Sequence, residues 1–187
     1  MSDNFRAWAF KMRGGLWTLM FAVMLIVAGR FAPRYVTLGV VLVVIGQLWR
    51  FWAAGSIGRY RGENVGAERL ATWGPYSLMR NPLYFGNGLI GLGWGLMAGL
   101  WVAIVFVICF VIIYGVVIIP YEESFLAEKF GDDYEKYRRS TGAFFPKSLP
   151  DERLFGPFDA KILWISERYT VLTTVVGTCL IALRSLA

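Results

Sequence analysis

Glu122 and Glu123 stand side by side directly after Pro120 and Tyr121, and an upstream run reads Arg80-Asn81-Pro82-Leu83-Tyr84-Phe85-Gly86. Two neighbouring carboxylates can meet a cation or take a proton from an amine or thiol. Tyr76, Tyr84, Tyr121, Tyr134 and Tyr137 supply aromatic faces of the kind that attract a sulfonium or ammonium. Arg80 and Arg138 carry guanidinium groups, which pair bidentately with a carboxylate on an acceptor or a cofactor. Plainer readings exist for each. Acidic residues behind a proline at a helix start favour the helix dipole without any ligand, and an arginine at the end of a span snorkels to the interface. Pro82 opens a helix with Asn81 as its cap, and interfacial tyrosines form an aromatic belt. Those readings take the residues singly and leave their joint occurrence at two places unexplained.

The elements that must position them follow from where charge is missing. No Asp, Glu, Lys or Arg occurs over the 41 residues from Asn81 to Tyr121, roughly twice the length of about 20 that spans a bilayer as a helix. A chain that crosses twice returns to the side it left, so both motifs should face one aqueous compartment. Applied to the whole sequence, the rule gives an all-α integral membrane protein, a single membrane domain over 1–187. Spans are expected at about 14–30, 36–54, 83–98, 101–119 and 169–185, with the turn of the central hairpin at Ala98, Gly99 and Leu100. The last is short enough to be either a marginal fifth span or an interfacial helix. Between Pro120 and Arg139 the pattern gives two short amphipathic helices at the membrane surface. The first starts at Pro120 and stops at Gly131, and the second starts at Asp132 with Glu135 three residues on. Residues 148–168 carry no functional reading.

Composition agrees. Hydrophobic residues make up 57% of the chain and aromatics 17%, more than a soluble core requires. The first apolar run lacks a polar region and cleavage pattern behind it, so that span is expected to remain in the mature protein. The net charge of +6 comes from basic residues interleaved with acidic ones in the connecting segments. That excludes a nucleic-acid-tracking stripe and leaves membrane lipids, anionic head groups among them, as the expected partner. With an inside N-terminus, only Arg30, Arg34 and Arg184 of the 19 basic residues fall outside, so the positive-inside rule puts the N-terminus and both motifs in the cytoplasm. The chain has no histidine. An imidazole base, a Ser-His triad and an imidazole-ligated metal are thereby excluded. Cys109 and Cys179 lie in apolar runs and read as packing residues, so no metal site is expected.

Glycines recur at 86, 88, 91, 93, 95 and 99. They can let helices approach closely, or let a bulky ligand reach backbone at Gly86-Asn87-Gly88 and Gly91-Leu92-Gly93. They are not a dinucleotide fingerprint, because no strand precedes them.

The run GPYSLMRNPLYFG, the apolar hairpin, and then EESFLAEKFGDDYEKYRRSTGAFFP together resemble the membrane methyltransferases of the isoprenylcysteine carboxyl methyltransferase and phospholipid methyltransferase family, over roughly residues 70–147. The resemblance implies S-adenosylmethionine bound between the third and fourth spans and the cytoplasmic helices. Carried over position by position, it implies a cofactor site lined by Asn81, Pro82, Tyr84, Gly86, Glu122 and Glu123, with Gly91 and Gly93 beside them and Tyr134, Tyr137 and Pro146 as its lid. Glu122, Glu123 and Arg80 become the candidate catalytic residues, and Arg138 and Tyr76 the candidate substrate contacts. Asn81 stands where many members carry His, so a titrating base is not available there. The acceptor implied is lipophilic: an isoprenylcysteine-like carboxylate, a phospholipid amine, a hydrophobic acid or a small thiol. Two other functions fit the same residues. One is an NADPH-dependent reductase resembling the sterol reductases, with Arg138, Arg139 and Lys147 on the phosphates; the other is a non-catalytic membrane scaffold or lipid-binding protein. The sequence leaves oligomeric state open.

Overall fold

A helix that meets a proline must either stop or find room for its ring, and Pro120 takes the second course. The computed structural model describes residues 8–28, 35–57, 69–147 and 151–186. In it the helix α5 runs unbroken from Leu100 to Phe130, through Pro120. Proline offers no N–H and crowds the carbonyl four residues back. The turns just before it, Val111–Ile118, are widened to π-helical form, and this absorbs the misfit. The expected break at Pro120 is therefore corrected, and Glu122 and Glu123 lie inside a long helix. The dipole of a free helix start does not account for them.

Other α-helices among the described residues are α1 (Arg13–Val27), α2 (Val36–Ile57), α3 (Pro75–Leu78), α4 (Pro82–Ala98), α6 (Asp132–Ser140), α7 (Lys161–Ser166) and α8 (Arg168–Leu186), with one 3-10 turn at Glu152–Phe155. No strand occurs among the described residues; a single parallel bridge joins Met79 to Gly142. Three helices, α2, α5 and α8, are long and apolar enough to cross a membrane. The expected five spans correspond to five helices, but α1 has 15 residues and α4 has 17, so three crossings stand on length and composition. The last run, expected to be marginal, is a helix of 19 residues. Val23, Val44, Leu48, Val105, Ile112 and Leu172 are among the large apolar residues left exposed. Such faces in water would mark an aggregation surface, and lipid is the solvent that suits them. This is a membrane protein.

Gly99 makes the expected turn between α4 and α5 alone, at φ +141°, a conformation other residues avoid. Gly131, at φ +52°, ends α5 where expected, and α6 begins at Asp132. The most extensive helix contact is α2 against α4. It rests on two glycine pairs seven residues apart on each helix, so that both pairs share one face. A Cβ on Gly39 would lie 2.5 Å from the Gly93 carbonyl oxygen, and one on Gly46 would lie 2.8 Å from that of Gly86. Lipid gives no hydrophobic drive to helix association, so close backbone approach carries it. Gly95 meets Ala103 of α5 in the same way.

Gly93→Val is expected to force α2 and α4 apart and to lower the thermal unfolding midpoint in detergent, at a cost of about 1–3 kcal/mol. Gly14→Ala, where a Cβ meets nothing within 4 Å, is the matched control and should leave the midpoint unchanged.

Candidate functional site

The two motifs meet through backbone first. The Arg80 N–H donates to the Gly142 carbonyl at 2.8 Å and the Asn81 N–H to that of Ala143 at 3.2 Å. The Tyr137 hydroxyl donates to the Tyr76 carbonyl at 2.7 Å. Across this seam lies an ion pair. Arg80 Nε donates to Glu123 Oε1 at 2.9 Å and Nη2 to Oε2 at 3.1 Å, with the side chains only 10% and 15% exposed. Arg80 Nη1 donates to the carbonyls of Thr141 and Arg138. Asn81 does not cap α4. Its Nδ2 reaches over to the Ala143 carbonyl at 3.2 Å and to Glu123 Oε1 at 3.4 Å. Asn81 thus acts as a donor between the motifs.

Adjacent residues on a helix point about 100° apart, and this separates the two glutamates. Glu123 turns to Arg80. Glu122 turns into a cavity of about 650 Å³, and its Oε2 is buried with no hydrogen-bond partner. The same cavity is lined by Tyr84, Tyr114, Trp17 and Asn87, with the Tyr84 and Tyr114 rings 5.1 Å apart between centroids. A buried carboxylate oxygen without a donor is costly, and aromatic walls around it suit a cation.

Of the residues singled out from sequence, Tyr76, Arg80, Asn81, Pro82, Tyr84, Glu122 and Tyr137 line this cavity. Tyr134 is buried behind it, its ring packed edge-on to Tyr137 at 6.2 Å. Burial above all pushes both phenols well above their ordinary range, so they stay protonated at neutral pH. Gly86 and Gly93 face α2, and Gly91 faces Phe106 and Trp17; none of the three lines the cavity, because helix packing occupies the space their missing side chains leave. Arg138 is half exposed and pairs with Glu135 of its own helix at 3.1 Å. Pro146 is exposed and also lies outside the cavity wall.

Sequence reading missed a second ion pair. Arg50, on α2, is 4% exposed and donates from Nε and Nη2 to Glu167, itself 1% exposed, at 3.0–3.2 Å. It also donates to Asn87 of α4 and, at 3.4 Å, to Thr170 of α8. Arg50, Asn87 and Thr170 line the cavity. The available signal was Arg50 itself, a charge followed by the apolar Phe51-Trp52-Ala53-Ala54 inside a span, where an ionisable residue needs a partner. Glu167 lies in the segment that had no reading, and no pattern points to it.

The family model for phospholipid methyltransferase matches residues 34–133. The chain is 37% identical over 118 residues to the cobalt-zinc-cadmium resistance protein CzcN of Cupriavidus metallidurans, covering 62% of this chain and 51% of that one. It is 32% identical over 147 residues to the nickel-cobalt-cadmium resistance protein NccN of Alcaligenes xylosoxydans xylosoxydans, covering 72% and 65%. It is 36% identical over 80 residues to the phosphatidylethanolamine N-methyltransferase of Mus musculus, covering 42% and 40%. The matched segments thus span about half to two thirds of the first two relatives' length and less of the third. No solved structure matches.

Glu167→Gln and Arg50→Met should each destabilise the fold by about 3–5 kcal/mol, since each breaks a buried ion pair. The double variant Arg50→Met/Glu167→Leu should recover much of that loss in a thermal unfolding series.

Proposed function

We propose that this chain, which belongs to the phospholipid methyltransferase family, transfers the methyl group of S-adenosylmethionine to a lipophilic acceptor that reaches the cavity from the membrane. The observation that carries this reading is the Glu122 carboxylate, buried in a cavity wall with an unpartnered oxygen and flanked by Tyr84 and Tyr114. A sulfonium suits that oxygen and the rings beside it, in a wall that Arg13 and Arg69 also line, and the cavity volume falls in the range of about 300–1,000 Å³ usual for small-molecule sites. Tyr84, Glu122, Asn81 and Pro82 are the residues that would hold the cofactor. When bound, S-adenosylmethionine supplies a methyl group made electrophilic by the positive sulfur.

The protein's own contribution is alignment and exclusion of water. Arg80 fixes Glu123 and thereby the rotation of α5 that presents Glu122. Because Glu123 is committed to Arg80, Glu122 is the carboxylate left to accept a proton from an amine or thiol acceptor; a carboxylate acceptor needs no base. Tyr76 and Tyr137 support the wall beside Arg80. The basic residues counted from sequence support a cytoplasmic orientation for this site.

A reductase reading has less support. Arg138 is paired with Glu135, Lys147 donates to the Arg138 and Arg139 carbonyls, and none of the three basic residues lines the cavity. Metal handling, suggested by the names of two relatives, finds no ligand cluster among the described residues and no histidine in the chain.

Equilibrium titration of the purified chain in lipid nanodiscs is expected to show S-adenosylmethionine binding at least about tenfold tighter than NADPH. Mass spectrometry of lipid extracts after incubation with methyl-labelled cofactor should then reveal a labelled lipid. Absence of cofactor binding across several lipid compositions contradicts the reading.

A further inference from the structure

A second, smaller space of about 280 Å³ lies between α2 and α8, walled by Val40, Val43, Val44, Leu48, Val175 and Cys179. Three polar side chains interrupt it, Thr174, Thr178 and Gln47, and of these Gln47 has unmet buried atoms. Gln47, midway along α2, contributes to the wall, and both its Oε1 and its Nε2 are buried with no hydrogen-bond partner. At this depth in a bilayer no water can satisfy the amide, and an unmet amide costs several kcal/mol relative to a paired one. Thr174 lines both this groove and the main cavity, and Arg50, in the main cavity, lies three residues from Gln47 on the same helix face. The two spaces therefore adjoin along the α2–α8 seam. Val44, Leu48 and Val175 are themselves exposed, so the groove opens toward lipid.

A helix of a second copy, about 10–12 Å across, cannot enter a space of about 280 Å³. A single hydrocarbon chain is slim enough, but a plain one leaves Gln47 unmet. We propose that the groove holds the hydrocarbon chain of the lipophilic acceptor, and that the Gln47 amide hydrogen-bonds an oxygen-bearing group, an ester carbonyl or hydroxyl, set between the chain and the reacting head. This rests on the methyltransferase reading for the identity of the occupant as acceptor. It adds a specificity residue outside the cofactor motifs: Gln47 selects lipids that carry an oxygen function at the head of the chain over those that are hydrocarbon up to the head. Arg50, held by Glu167, Asn87 and Thr170, marks where the groove passes into the reaction cavity.

The test uses two photoactivatable probes in nanodiscs holding the full chain: a diazirine-bearing fatty acyl ester and the matching diazirine alkane, with cross-links located by peptide mass spectrometry. The ester should label the segments 40–48 and 175–179 preferentially, and unlabelled ester, but not alkane, should displace it. Gln47→Leu should cut ester labelling there about tenfold and leave alkane labelling unchanged. The displacement measurement on the wild type stands even if the variant does not fold. Labelling spread evenly over the lipid-facing helices, equal labelling by the two probes, or a Cys179-to-Cys179 cross-link between two copies that excludes both probes overturns the proposal. Cofactor binding on the same samples separates the two claims. Lost selectivity with binding intact overturns the groove alone; selective labelling without binding supports the groove and overturns the reading that its occupant is a methyl acceptor.

Discussion

The pairing of Arg80 with Glu123 is the constraint on which the candidate site depends. Two charges that are 10% and 15% exposed must satisfy one another, because the desolvation cost of leaving either alone is several kcal/mol. Arg80 follows α3 and precedes α4, whereas Glu123 lies on α5 and the accepting carbonyls of Arg138 and Thr141 lie at the end of α6. One guanidinium therefore ties the start of one hairpin arm to the end of the other and to the helix beyond. The backbone bonds from Arg80 and Asn81 to Gly142 and Ala143 repeat the tie without charge. With Glu123 so occupied, helix geometry leaves Glu122 to face the cavity.

The rest of the fold supplies the distances that this pairing needs. The glycine pairs of α2 and α4 bring Arg50 and Asn87 close enough to bond. The Arg50–Glu167 pair then draws the foot of α8 to the same cavity from the opposite side. The widened turns before Pro120 carry α5 past the proline as one helix, so the carboxylates extend from a rigid element. Two buried ion pairs thus close the cavity on two sides, and neither leaves a free charge in it. Among the unmet buried groups of the described residues are the neutral amide of Gln47 and an oxygen of the Glu122 carboxyl.

Much of this was legible in the sequence where one residue type has one physical consequence. Gly99 and Gly131 read as turns because their conformations exclude a side chain, and the uncharged stretch read as a hairpin because a helix satisfies its own backbone in lipid and about 20 residues suffice to cross. The joint reading of the two motifs also corresponds to residues the fold brings together. What could not be read depends on partners distant in the chain. Pro120 has two outcomes, a start or an absorbed misfit, and the choice is made by what packs around it. Asn81 has a capping role locally and a bridging role only once Ala143 and Glu123 are beside it. Gly86, Gly91 and Gly93 could serve a ligand or a helix, and spacing alone does not say which partner arrives. Arg50, inside the second span, has no partner legible in the sequence because Glu167 belongs to a segment without periodicity.

The division of labour between the adjacent glutamates is the central claim, and comparing their isosteric neutral variants tests it most directly. S-adenosylmethionine affinity and thermal midpoint would be measured for Glu122→Gln and Glu123→Gln in the same lipid. Glu122→Gln should lose cofactor affinity while holding or raising the midpoint, since it removes a buried charge one of whose two oxygens, Oε2, has no partner. Glu123→Gln should lower the midpoint by several degrees, since it strips Arg80 of its partner. Equal effects of the two variants on both quantities, or a collapse of stability in Glu122→Gln with affinity preserved, would contradict the account.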